Sequence, residues 1–173
     1  MRRGSGTYVV NTTPSDLDPL GLSGAEDKMA LALDLVNVRL ILEPGIAEMA
    51  ALNATEEAIL ELRCCCERVE ERIASGDMYI QDDIAFHTSV ARCSGNKVVE
   101  QLIPIIDTAV MMFVNATHQR LTKETVMTHR AIVDAISDRD PIGAKTAMMM
   151  HMTYNRNMIL KLIREEKEKN HKE

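Results

Sequence analysis

Aromatic side chains are scarce in this chain. Only 3% of its 173 residues are Phe, Tyr or Trp, and tryptophan is missing altogether. Without an aromatic platform, single-stranded nucleic acid has little to stack on. Positive charge is also short, with 20 Lys and Arg against 26 Asp and Glu, a net charge of −6. A chain with that balance has no basic face with which to grip a phosphate backbone by itself. No apolar run approaches the roughly 20 residues that cross a bilayer. The first ten residues, MRRGSGTYVV, lack the apolar core of a secretion signal. A cytoplasmic, soluble protein is the expectation. Its four cysteines are Cys64, Cys65, Cys66 and Cys93, and no pair has C-x-x-C spacing. That argues against a zinc knuckle or a disulfide framework and for buried thiols in a reducing compartment.

What the chain does have is helical periodicity. The stretch to about Ala25 is rich in Gly, Pro, Ser and Thr, with TYVV as a short strand candidate and NTTPSDLDPLGLSG as a linker. A first helix is expected over about Asp27 to Leu52, with Leu31, Leu35, Val38, Leu42, Ile46 and Met49 on its buried face. Pro44 should kink or break it near Leu42. Thr55 caps a second helix that Gly76 closes. A third holds QDDIAFHTSVARC. Asn96 caps a fourth that runs to about His118 with a kink at Pro104. Thr122 or Thr125 opens a fifth that ends near Asp138, and Asp140 with Pro141 opens a sixth before a solvated charged tail, REEKEKNHKE. Six helices with short links predict an all-α antiparallel bundle of one domain, carrying a short N-terminal extension.

Three of the five histidines fall inside these helices. Asp83 and His87 stand four apart and share one helix face. His129 lies among Val126, Ile132 and Val133, and His151 among Met148 and Ile159, so both point inward. One carboxylate and three imidazoles suit zinc first, with nickel and manganese also tolerated. On an octahedral ion they leave two positions that the carboxylate and hydroxyl of a small hydroxy acid could fill. Without a metal, the same buried groups would need several hydrogen-bond partners.

Arg39 shares a side with Leu35, Leu42 and Ile46. It either grips a ligand carboxylate or forms a surface ion pair with Glu43, four residues on. Asn155, one turn after His151, could hydrogen-bond a ligand or stand in solvent.

Together these residues resemble a known family. D-x-x-F-H (Asp83 to His87), S-G-N (Ser94 to Asn96), HRAIVDAISDRD (His129 to Asp140) and, more loosely, A-x-x-x-M-x-x-H (Ala144 to His151) are similar to the FCD domain. This is the C-terminal ligand-sensing domain of FadR-type regulators in the GntR superfamily. R-x-x-L-E (Arg39 to Glu43) matches its start, and RRGSGTYV (Arg2 to Val9) resembles the end of the winged helix-turn-helix of the same superfamily. The resemblance implies that residues 1–25 are a wing remnant plus linker and 26–173 an effector-binding domain. It assigns Asp83, His87, His129 and His151 to a metal and Arg39 to an effector carboxylate. It further implies a homodimer, a sugar-acid or hydroxy-acid effector, and operator DNA reached only through a largely missing N-terminal domain.

Two other functions remain. A metal-dependent enzyme would need a general base beside the metal, and no unassigned Glu or His stands clearly on that face. A di-iron enzyme wants paired E-x-x-H motifs in core helices, whereas the one present, Glu168 to His171, sits in the tail. A metal-free helical interaction module would use the histidines structurally.

Overall fold

The computed structural model describes residues 20–22, 24–114 and 121–170. Six helices account for most of them: α1 (Lys28–Asn53), α2 (Glu56–Ser75), α3 (Ile80–Cys93), α4 (Lys97–Val114), α5 (Thr122–Ser137) and α6 (Pro141–Asn170), with no strand among the described residues. The expected strand at TYVV, the wing remnant and the predicted end of the fourth helix near His118 lie outside those residues.

Local chemistry starts and stops the helices where the sequence says it should. The Asp27 carboxylate accepts the amide of Ala30, and the Thr55 hydroxyl accepts that of Ala58. The Asn96 side-chain oxygen takes the amides of Val98 and Val99, and Asp140 takes that of Gly143. Each satisfies donors that a first helical turn leaves free. Gly76 ends α2 with φ 74°, in the left-handed region. A Cβ there would meet nothing within 4 Å, so only backbone strain opposes a side chain. Gly76→Ala should cost about 1 kcal/mol, to be read as a lower urea midpoint with an unchanged slope.

α1 is the central element. It packs along α6 and also meets α3, α4 and α5. Its pairing with α6 is antiparallel, since Lys145 bonds Glu48 at one end and Arg156 bonds Asn37 at the other. Neighbours on several sides change the face expected for it. The buried residues are Ala32, Leu35, Val36, Arg39, Glu43, Pro44, Ile46, Ala47, Ala50 and Ala51, while Val38 is exposed. Small residues let α6 come close, which a stripe of leucines would prevent. Pro44 causes no break, and α1 is one continuous helix of 26 residues. α6 likewise runs through the charged tail to Asn170. Of the four thiols expected to be buried, Cys65, Cys66 and Cys93 are, and Cys64 is exposed.

Candidate metal centre

Three helices each bring one imidazole to the middle of the bundle. His87 comes from α3, His129 from α5 and His151 from α6, and all three are buried. Each offers a ring nitrogen, and the three nitrogens lie within 4.8 Å of one another. Ligand nitrogens on a tetrahedral zinc ion stand about 3.4 Å apart. Gathering them on one ion would bring the nitrogens closer together by up to about 1.4 Å. Asp83, one turn before His87, completes the set, with its carboxylate 3.9 Å from His87 Nε2 and 3.4 Å from His129 Nε2. The three histidines singled out in the sequence thus meet at one place, with Asp83 beside two of them.

The hydrogen bonds behind the rings fix their tautomers. The Thr128 hydroxyl donates to the Glu124 carbonyl at 2.7 Å, so toward His151 Nδ1, 2.8 Å away, it can only accept. His151 must then carry its proton on Nδ1 and a lone pair on Nε2. The Asn155 amide donates to that lone pair at 3.2 Å and to the His151 carbonyl at 3.1 Å. His87 Nδ1 is 2.6 Å from the Glu43 carboxylate, which leaves Nε2 facing the cluster without a hydrogen-bond partner among the described residues. His129 stacks on Phe86, ring centroids 3.8 Å apart, and neither of its nitrogens has such a partner. Buried imidazole nitrogens of this kind cost free energy unless something binds them.

Burial pushes His129 down to about 3, against the opposing pull of Asp83. Burial, reinforced by the other two histidines, holds His151 well below the ordinary value. Both are neutral and ready to donate lone pairs. Burial works against the His87 cation too, but the Glu43 carboxylate outweighs it and moves His87 upward.

The second half of the site corrects an expectation. Arg39 and Glu43 do pair, yet both are buried rather than at the surface. Arg39 Nε also lies 3.0 Å from Asp107 Oδ1, on α4. Because its single N–H points to Glu43, Asp107 has charge contact without a directed hydrogen bond. Arg39 Nη2 is likewise buried without a hydrogen-bond partner among the described residues. Burial opposes the guanidinium charge, but Asp107 and Glu43 outweigh it and raise its pKa further. Burial would raise Glu43 as well, yet Arg39 and His87 together hold it low; burial raises Asp107 despite Arg39. No role in the site was expected of Glu43 from the sequence, and Asp107 was not named. A lone carboxylate in LIPIIDTAV, on an otherwise apolar helix, was the available signal for Asp107.

A family model described as the FCD domain matches residues 34–154. The chain belongs to the FCD domain family. It is 28% identical over 165 residues to the Uxu operon transcriptional regulator of Escherichia coli K12, covering 88% of this chain and 62% of that protein. To the HTH-type transcriptional regulator LutR of Bacillus subtilis it is 26% identical over 168 residues, covering 88% and 73%. Among solved structures, Streptococcus agalactiae GntR superposes with a TM-score of 0.75 at 32% identity, covering 91% of this chain and 73% of that one. The chain spans under two thirds of the length of the Uxu regulator.

Proposed function

We propose that this FCD domain is a metal-dependent effector sensor of a GntR-type transcription regulator. Asp83, His87, His129 and His151 hold a divalent transition metal, zinc before nickel or manganese. A small carboxylate, a sugar acid or hydroxy acid, binds between that metal and Arg39, with Asn155 as a further hydrogen-bond donor. The observation that carries this reading is the buried trio of imidazoles with ring nitrogens close together, two of the rings holding nitrogens without a hydrogen-bond partner among the described residues, beside a buried Arg39 with an unused donor. Two buried carboxylates, Glu43 and Asp107, lie against the same guanidinium.

When bound, the metal would supply a Lewis-acidic centre for the carboxylate and hydroxyl oxygens of the effector. The chain does the rest. Thr128 and Glu43 hold two rings in the tautomers that donate from Nε2, as partners behind metal ligands commonly do. Arg39 supplies charge and direction for the carboxylate. An effector held this way ties α1, α3, α5 and α6 together. That shifts the balance between orientations of an attached DNA-binding domain by its difference in affinity for them. The relatives are named as regulators, one of them as the putative regulatory protein of an L-lactate dehydrogenase operon, which fits a hydroxy-acid effector. We read the chain as a sensor without turnover, a homodimer in the cytoplasm, with residues 1–25 as wing remnant and linker. Among the described residues no helix is long and apolar enough to cross a membrane.

The test is metal content by plasma mass spectrometry beside His129→Ala. About one zinc, nickel or manganese per chain is expected, and none in the variant. No metal in either, even after reconstitution, would leave a metal-free bundle and end this reading.

A further inference from the structure

Glu43 touches both halves of the site with a single carboxylate. Its Oε2 accepts from His87 Nδ1 at 2.6 Å, and its Oε1 accepts from Arg39 Nε. His87 is the imidazole whose other nitrogen faces the metal position, and Arg39 is the residue with the unused donor. All three side chains are buried, so no solvent screens the connection. Asp107 waits on the far side, already 3.0 Å from the same Arg39 Nε but without a directed hydrogen bond.

We propose that Glu43 is a positioning residue that couples the two sites: metal on His87 draws Glu43 toward His87 and turns Arg39 from Glu43 toward Asp107, presenting its guanidinium to an anion. This rests on the metal reading above and adds a regulation to it, with metal as the condition for anion capture. The chemistry runs through one shared acceptor. A cation on Nε2 withdraws electron density from the ring and makes Nδ1–H a stronger donor. A carboxylate has one unit of charge to divide between its two donors, so a tighter bond to His87 means a weaker one to Arg39. Asp107 can take up what Glu43 releases, so the guanidinium stays paired while its orientation changes. A purely structural Glu43 would neutralise Arg39 equally with or without metal.

Nuclear magnetic resonance of the nitrogen-15-labelled chain tests this with zinc alone as the probe. The signals to follow are the histidine ring nitrogens and Arg39 Nε–H, the latter assigned by its loss in Arg39→Lys. In the wild type, the Arg39 signal should move along the same saturation curve as His87, although Arg39 is no ligand. In Glu43→Gln, zinc should bind about 10- to 100-fold more weakly, and the Arg39 signal should stay still as the histidine signals move. Glu43→Asp should restore part of the Arg39 response. A stationary Arg39 in the zinc-saturated wild type, or an equal response in Glu43→Gln, overturns the coupling and leaves the metal site standing. Failure of zinc to move the histidine signals overturns both. If Glu43→Gln does not fold, the wild-type titration and Glu43→Asp still decide the question.

Discussion

Saturating zinc is expected to raise the melting temperature of this domain by roughly 8–16 °C, and His129→Ala to abolish that rise. A ligand at a thousand times its dissociation constant stabilises the native state by about 4 kcal/mol. For a chain of this size each kcal/mol moves the midpoint by about 2–4 °C. The ligands come from α3, α5 and α6, so the ion acts as a cross-link among three helices. Nothing in an unfolded chain holds those four side chains together. In the metal-free state His129→Ala should be far milder than a usual core truncation. It loses the stacking on Phe86 but also removes two buried nitrogens that have no hydrogen-bond partner among the described residues, each costing about 1–3 kcal/mol. The measurement is a pair of thermal melts, chelator-treated and zinc-loaded, on both proteins. A zinc-dependent rise retained in His129→Ala would place the metal elsewhere.

The fold and the buried histidine cluster were legible because both are written in local patterns. Caps at Thr55, Asn96 and Asp140 and the left-handed Gly76 lie within a few residues of what they terminate. His87, His129 and His151 were legible because an imidazole amid Val, Ile and Met is conspicuous. Asp83 was found through its i, i+4 spacing to His87. What failed was long-range context. The buried side of α1 follows Ala32, Val36, Arg39, Glu43, Ala47 and Ala50, a seam of small and charged residues. Hydrophobicity marked Leu35 and Ile46 on it but not the rest, since the larger side chains at Val38 and Ile41 face out. The spacing of Arg39 and Glu43 left a surface pair open beside a ligand-binding role, because that pattern is commonest on exposed helices. Only packing against α3, α4 and α6 turns it inward. Asp107 acquires meaning only beside Arg39, sixty-eight positions away, and no local pattern links them.

Replacing Arg39 should expose the difference between the two halves of the site. Arg39→Ala is expected to lower the stability of the metal-free domain by about 3–5 kcal/mol, because it strands buried Glu43 and Asp107 without their cation. Adding metal should recover more of that loss than it contributes in the wild type. A divalent ion held by His87 also draws on Glu43 through the 2.6 Å bond, and the stranded negative charge strengthens the attraction. The variant should therefore still carry about one metal ion per chain. Its response to small hydroxy acids should be lost, since no other buried guanidinium is present among the described residues. Urea unfolding with and without zinc, followed by thermal melts in millimolar L-lactate, D-gluconate and D-glucuronate, separates these effects. Wild-type protein should gain stability from at least one of the acids only when metal is present, and Arg39→Ala from none. Loss of metal from Arg39→Ala would show that Arg39 supports the ligands instead of the effector. An undiminished acid response in the variant would move the carboxylate site away from Arg39.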